Sequence, residues 1–444
     1  MNTPAPMLIL GGGPAGLAAG YYARKRGRPF AILEAGPRVG GNCVTIRHGA
    51  FRCDSGAHRL HDKDPETTAE LRTLLGDELQ RVNVPSLIFH GGRYVEFPLS
   101  PLNLLAALGI ARFATAALEV VRGRLAARTA APDFESFAVQ TYGRTIADRF
   151  LLNYSAKLWG LPCRQLSTCV SGTRMRGLTL KTFLKEAVLG KRAKTEHLDG
   201  AFFYPRNGIG AIPDALAAAC GIENIRLHSP VTRVFHDGTR ITAVEVSGRE
   251  RIAAGSVLST LPLDGVLRMM SPAPPADVQS LADGLRYRNV VLVALFLNRP
   301  SVTDAATLYF PEAVFPFTRL YEPRNRSASM SPPGQTSLVI EVPCQAEDAI
   351  WSQPDAQVVA RIVPPLFKVA IIAERDVIGS AVTRMPRAYP LLELGFEARL
   401  EKVMAFLGAF GNLSLSGRCG RFAYVHLHHL MQWGRQIVSD GGAA

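Results

Sequence analysis

Long apolar runs are missing from this chain of 444 residues. The longest, Leu102 to Ala111, is about half of what spanning a bilayer requires, so no segment is expected to cross a membrane. Cysteine is scarce and unpatterned: Cys43, Cys53, Cys163, Cys169, Cys220, Cys344 and Cys419 are odd in number and form no Cys-x-x-Cys pair. That argues against a zinc site and a disulfide framework and suits reduced cytosolic thiols. Met1 to Pro6 carry neither a basic n-region nor an apolar h-region, so export through a secretory signal is not expected and a cytoplasmic location is. Repeats and low-complexity tracts are absent, with Pro/Ser-rich loops expected at 271–276 and 323–334. Acid is the deficient charge, with 37 Asp and Glu against 50 Lys and Arg, a net charge of +13. The basic residues are spread along the chain without a nucleic-acid module, so no nucleic-acid partner is expected and an anionic small-molecule ligand fits better.

What is present begins with a 47% hydrophobic content, enough for a large core and two domains. Leu8-Ile9-Leu10 reads as a strand, followed by Gly11-Gly12-Gly13-Pro14-Ala15-Gly16, a small-residue helix, and a second strand Phe30 to Glu34. A strand that ends in Gly-x-Gly-x-x-Gly and enters a helix turns tightly and presents bare backbone N–H groups to a pyrophosphate at the positive helix end. Gly11 permits the turn, Gly13 removes a Cβ from the path of the diphosphate, and Gly16 lets helix and strand pack closely. Glu34, at the end of the second strand, is placed to accept hydrogen bonds from ribose hydroxyls. A dinucleotide-binding segment is the expectation.

Glu34-Ala35-Gly36-Pro37-Arg38-Val39-Gly40-Gly41 resembles the Glu-Ala-x-x-Arg-x-Gly-Gly extension of the amine oxidase superfamily, which includes protoporphyrinogen oxidases and UDP-galactopyranose mutases. The resemblance implies FAD, with Arg38 near the diphosphate and Gly40-Gly41 giving the flavin room. Gly56-Ala57-His58-Arg59-Leu60-His61 is similar to a Gly-x-His-x-x-His loop over the flavin face, where His58 would tune the redox state or assist proton transfer. Tyr154-Ser155-Ala156-Lys157-Leu158-Trp159-Gly160 resembles the Tyr-Thr-x-Lys-x-Trp-Gly segment of the mutases; Tyr154 and Trp159 offer ring faces, and Arg174 or Arg176 would reach a phosphate. Thr318-Arg319-Leu320-Tyr321-Glu322 is similar to a mutase strand whose arginine meets the substrate diphosphate. Ala388-Tyr389-Pro390 instead matches the oxidoreductase-like relatives. Gly417-Arg418-Cys419-Gly420-Arg421-Phe422-Ala423-Tyr424 resembles the segment with which these families return to the cofactor. His426-Leu427-His428 departs from their usual Asn/Asp-Met-Asp, leaving open whether a neutral or a charged histidine faces the flavin.

The resemblance thus implies cofactor contacts at Gly11, Gly13, Pro14, Ala15, Gly16, Glu34, Ala35, Arg38, Gly40, Gly41, Asn42, His58, Val231, Gly417, Arg418, Phe422, His426 and Leu427, and catalytic or substrate roles for His58, Tyr154, Trp159 and Arg319. No metal is expected. The fold class is α/β, a Rossmann-like FAD-binding domain assembled from residues 1–60, 200–265 and 412–444. An α+β substrate domain completes it, helical over 61–199 and mostly β-sheet over 266–411. Helical patterning runs over 64–190, strands fall at 225–228, 231–236, 241–246, 257–260, 289–297, 307–310, 317–321 and 337–342, and a helix at 392–409. Leu102 to Ala111 with Arg112, Arg122, Arg124 and Arg128 makes a basic amphipathic helix that can touch a membrane surface, although covering the substrate domain is the simpler role.

Function is expected to be hydride transfer from a small, anionic, sugar- or phosphate-bearing metabolite to flavin N5. A mutase-like isomerisation of a nucleotide sugar without net redox is the alternative, and a non-enzymatic flavoprotein a third reading. The oligomeric state is open, a homodimer among its options.

Overall fold

The computed structural model describes residues 6–126, 131–171 and 201–440. At its centre lies a five-stranded parallel sheet in the order Leu413–Leu415, Ser256–Ser259, Met7–Leu10, Phe30–Leu33, Ile225–Arg226. Numbered along the chain this is 3-2-1-4-5 read from the opposite edge, the order of a dinucleotide-binding half. Met7–Leu10 is buried at all four positions, as a central parallel strand covered on both faces must be, which is why it reads as a continuous apolar run. Helix Pro14–Lys25 lies on this sheet with Leu17, Ala18, Ala19 and Ala23 out of solvent. Its other neighbour is helix Leu427–Ser439: a Cβ on Gly434 would stand 3.0 Å from the Ala18 and Ala19 backbone. Two helices this close need glycine at the crossing.

A second, seven-stranded sheet carries much of the site. Its order is Val377–Pro390, Tyr287–Leu297, Thr336–Cys344, Arg319–Tyr321, Thr307–Tyr309, Ser86–His90, Arg93–Phe97. A four-stranded sheet pairs Glu250–Ala253, Ile241–Val246, Val231–His236 and Met270–Ser271. Expected strands and the helix near 392–409 recur with ends moved by a few residues, the helix running Phe396–Gly408.

Three expectations change. The helical reading of 64–190 contains strands Leu79–Asn83, Ser86–His90 and Arg93–Phe97; the last two form a hairpin whose turn, Gly91 (φ 59°) and Gly92 (φ 73°), uses the positive dihedrals that suit a strand twist. Strand Val377–Pro390 and the short helices Ala349–Ser352, Asp355–Ile362 and Pro364–Lys368 were not anticipated. Within the same helical reading, the stretch after residue 133 is interrupted: a helix runs Phe134–Ile146 with a break at Gly143 (φ 77°), passes through a wider turn, and resumes at Asn153–Trp159.

Lys157 binds this last helix to the sheet. Its Nζ donates to the carbonyls of Phe310, Glu312, Phe315 and Phe317 at 2.5–3.2 Å, organising the loop that leads to Arg319. A lysine in a motif expected to serve a substrate is therefore occupied by backbone. Lys157→Met keeps the stem and removes every donor; we expect a loss of about 3 kcal/mol from unpaired inward carbonyls, read as a lower urea midpoint at unchanged slope. A loss under about 0.5 kcal/mol, the range of ordinary surface changes, would contradict this account.

Candidate active site

The glycine turn is packed to the limit. Gly11 has φ 101° and an added Cβ would lie 2.4 Å from Thr260 Oγ1; on Gly16 it would lie 2.0 Å from the Gly11 carbonyl oxygen. Gly417 (φ 86°) closes in from the far end of the chain, its notional Cβ 3.3 Å from Ala15, and Gly41 approaches Gly13 equally closely at 3.3 Å. No side chain caps the first turn of helix Pro14–Lys25 and no acid stands in it, so its leading N–H groups remain donors for an anion. These features fit the diphosphate of FAD: Gly13, Pro14, Ala15 and Gly16 would hold it, with Gly40, Gly41 and Gly417 leaving room.

Glu34 does more than expected. Its Oε2 accepts from Gly12 N (2.7 Å) and its Oε1 from Gly36 N (2.8 Å), so the carboxylate first fixes the turn, and any ribose contact uses its remaining lone pairs. Arg38 curls over the glycine pair, donating from Nη1 to the Val39 carbonyl at 3.1 Å. Ala35 is exposed beside it, and Val231 opens its strand half-buried. Asn42 donates to the Pro386 carbonyl at 2.9 Å.

The loop after strand Phe51–Asp54 is anchored from below. Asp54, fully buried, accepts from Thr45 Oγ1 (2.7 Å), Ile209 N (3.0 Å) and the Tyr204 hydroxyl, while Tyr321 donates to the Asp54 carbonyl at 2.6 Å. Ser55 Oγ donates to the Asn42 carbonyl at 2.8 Å and lies 3.3 Å from His58 Nε2. Since the hydroxyl's single proton is spent on Asn42, this network assigns the imidazole proton to Nε2 and leaves Nδ1 as acceptor. Burial, then the positive charges of Arg418, Arg326 and Arg319, push the His58 pKa down to about 3. The shift holds the His58 imidazole neutral near neutral pH.

Facing that loop is Glu341, which the motif reading missed as a site residue. It is buried, accepts from Ala57 N (2.7 Å) through Oε1 and from Arg319 Nε (2.6 Å) through Oε2. Arg319 also donates through Nη2 to the Tyr389 hydroxyl at 3.2 Å; among the described residues nothing accepts from its Nη1. Around Arg319 stand Tyr154, in edge contact with Tyr309 at 5.7 Å, and Tyr389, whose ring meets Trp159 at 6.4 Å and Tyr424 at 5.7 Å. Burial holds the Tyr154 and Tyr389 phenols above their ordinary range, so both are protonated donors. Glu322, the acid of the Thr-Arg-x-x-Glu motif, points elsewhere: it accepts from Val302 N, Thr303 N and Thr336 Oγ1 and serves the fold.

Arg418 and Phe422 face differently from the cofactor contacts implied by the motif. Arg418 donates to the carbonyls of Ala388 (2.9 Å) and Val425 (3.0 Å) and lies over the rings of Tyr389 and Tyr424. The Phe422 ring is buried between Tyr287 (5.2 Å) and Phe396 (5.8 Å), so a cofactor would meet its backbone. His426 stands at the N-cap of helix Leu427–Ser439, and its N–H donates to His429 Nδ1 at 3.2 Å. His429, its pKa lowered by burial and by Lys63, thus takes the capping place three residues in that an acid would fill. Leu427 begins the helix, half-buried. The structure therefore brings His58, Tyr154, Trp159 and Arg319 into one cluster with Tyr309, Glu341, Tyr389, Arg418 and Tyr424; Arg174 and Arg176 lie outside the described residues.

Comparison with known proteins agrees with this geometry. The family of flavin containing amine oxidoreductases matches residues 14–382. Protoporphyrinogen oxidase 2 of Arabidopsis thaliana is 29% identical over 102 residues, 22% of this chain and 20% of that protein. Phytoene dehydrogenase of Streptomyces griseus is 25% identical over 298 residues, 60% of this chain and 56% of its own length. The matches thus span about a fifth and just over half of these curated relatives. A crystal structure of reduced UDP-galactopyranose mutase superimposes with a TM-score of 0.86 at 21% identity, covering 99% of this chain and 94% of that one. A match over most of the chain, together with the glycine cradle, settles the assignment: the protein belongs to the flavin containing amine oxidoreductase family, with FAD as its cofactor.

Proposed function

We propose that the protein oxidises a small anionic metabolite, one bearing a sugar or phosphate, by delivering its hydride to FAD. One observation carries the reading: Arg319, fixed through Nε and Nη2, has no acceptor for its Nη1 among the described residues and stands in a cluster with Tyr154, Tyr309, Tyr389 and Trp159. A buried guanidinium with a free edge suits a phosphate or carboxylate, and ring faces suit a sugar or a flat heterocycle. Bound FAD supplies the two-electron acceptor. The chain's residues orient the ligand, exclude water and donate hydrogen bonds: protonated Tyr154 and Tyr389 toward ligand oxygens, neutral His58 through its Nδ1 acceptor.

The fold shared with UDP-galactopyranose mutase favours a second reading, isomerisation of a nucleotide sugar with no net redox. Anaerobic titration separates the two. Under the first, sugar phosphates or nucleotide sugars bleach the yellow flavin and an electron acceptor restores it. Under the second, product isomeric to substrate forms only after dithionite reduction. A flavoprotein whose spectrum and products respond to neither treatment would refute both.

Arg319→Met is expected to weaken binding of the anionic substrate by about 1.5–3 kcal/mol, the worth of a hydrogen bond to a charged group, roughly 10- to 150-fold in KM. Stability should fall as well, because Glu341 loses its charge partner, so KM is read on the folded, flavin-loaded fraction; an unaltered KM there would remove Arg319 from the site.

His58 yields a stability prediction. Its folded pKa of about 3 lies below the ~6.5 of an unfolded histidine, so between those values the unfolded chain binds a proton that the folded chain refuses. The stability linked to His58 is complete above the unfolded value and declines on acidification, at most ~1.4 kcal/mol per pH unit. His58→Asn should flatten the fall in denaturant midpoint between neutral and mildly acid pH. Parallel curves for parent and variant would mean the imidazole is not held neutral.

A further inference from the structure

Tyr94, Phe97, Leu102, Ile110, Leu118 and Val121 make up six of the eleven large apolar side chains exposed among the described residues, with Leu102 at 67% and Ile110 at 82%. They belong to the edge strand Arg93–Phe97 and to helices Pro101–Leu108 and Ile110–Ala126. Helix Pro101–Leu108 has no charged residue. Apolar exposure concentrated on one short stretch marks a surface that something covers.

The charge around it has nearly one sign. Arg93, Arg112 and Arg122 are exposed, and none has an ion-pair partner among the described residues. Of the two acids in the stretch, Glu96 is exposed, and the Glu119 carboxylate turns inward to accept from Thr145 N (2.7 Å) and Thr145 Oγ1 (3.1 Å). Arg112 also borders a cavity of about 590 Å³ shared with Arg144 and Arg149. Asp148 and Glu312 face this cavity too, Asp148 being engaged by Arg144. Among the described residues no helix is long and apolar enough to cross a membrane.

We propose that this face docks on an anionic lipid surface, with Leu102 and Ile110 entering the headgroup boundary and Arg93, Arg112 and Arg122 meeting lipid phosphates. Apolar side chains exposed on a helix that also carries basic ones are what interfacial attachment requires. A second copy of the chain fits less well, because a two-fold pairing of the same face would set arginines against arginines. The face also adjoins the site: the Phe97 ring lies 5.3 Å from Tyr309, and Tyr309 lies 5.7 Å from Tyr154.

The test is flotation of the FAD-loaded full chain with vesicles of phosphatidylcholine alone and of phosphatidylcholine mixed with phosphatidylglycerol. The expected result is binding to the mixed vesicles that weakens with added salt. Exchanging Arg112→Ser together with Arg122→Ser should lower partitioning about 25-fold, taking about fivefold per arginine. Leu102→Ser with Ile110→Ser should lower it at least about tenfold, with flavin absorbance and melting unchanged in both, since all four side chains are exposed. No binding to either vesicle, or equal binding to both, overturns the proposal. A concentration-dependent dimer lost in Ile110→Ser, without flotation of the parent, would assign the face to a second copy and overturn it as well. Flotation needs no turnover, so its outcome is independent of the substrate reading.

Discussion

A buried carboxylate cannot stay ionised without partners, and Glu341 finds both of its partners across the site. One oxygen takes the Ala57 N–H of the loop that carries His58, the other takes Nε of Arg319. Arg319 sits directly opposite Glu341 in the antiparallel pairing of their strands, so the ion pair is a cross-strand contact whose register the sheet dictates. Removing either partner would leave a charge uncompensated in the interior, at a cost of about 3–5 kcal/mol. The positions of His58, Arg319 and Tyr389 all follow from this one group.

Close approach plays the same part at the cofactor end. Residues from the beginning, middle and end of the chain, Gly11, Thr260 and Gly417, meet within side-chain distance of one another and of Ala15. Each contact tolerates no added Cβ without movement, so the helix N-terminus is held from several directions while its N–H groups stay uncapped. Glu34 holds the bend from inside by its two backbone hydrogen bonds. The cradle is thus formed before any anion arrives, which spares the binding step the ordering of a glycine-rich loop.

The cofactor end was legible in the sequence because its constraints are local: a strand, a fixed glycine spacing and a helix within 34 residues. Four of the five strands of the parallel sheet were legible for a similar reason, as apolar runs bounded by turns; Leu413–Leu415, half-buried along its length, was not read as a strand. Hairpin Ser86–Phe97 was lost inside a helical reading, although Gly91-Gly92 between Phe89 and Tyr94 carried a turn signal. Strand Val377–Pro390 was hidden by Gly379, Pro386 and a positive φ at Arg387; its pairing with Tyr287–Leu297, far away in sequence, overrides those breakers. Glu341 was invisible as a site residue for a related reason. An acid that ends a run of apolar strand residues shows its meaning only when the pairing partner and the loop beside it are in place.

The charges in this cluster have a common consequence. Burial, with three guanidinium groups adding to it, lowers the His58 pKa, Lys157 is spent on four carbonyls, and Asp54 and Glu341 are tied into the fold. Tyr154 and Tyr389 keep their protons because burial disfavours phenolate. Hydrogen-bond donors therefore dominate the cluster. Such a surface stabilises negative charge on whatever occupies it and contributes mainly by orientation and exclusion of water. Arg319, anchored at Nε and Nη2 with no acceptor for its Nη1 among the described residues, adds one more donor to that set.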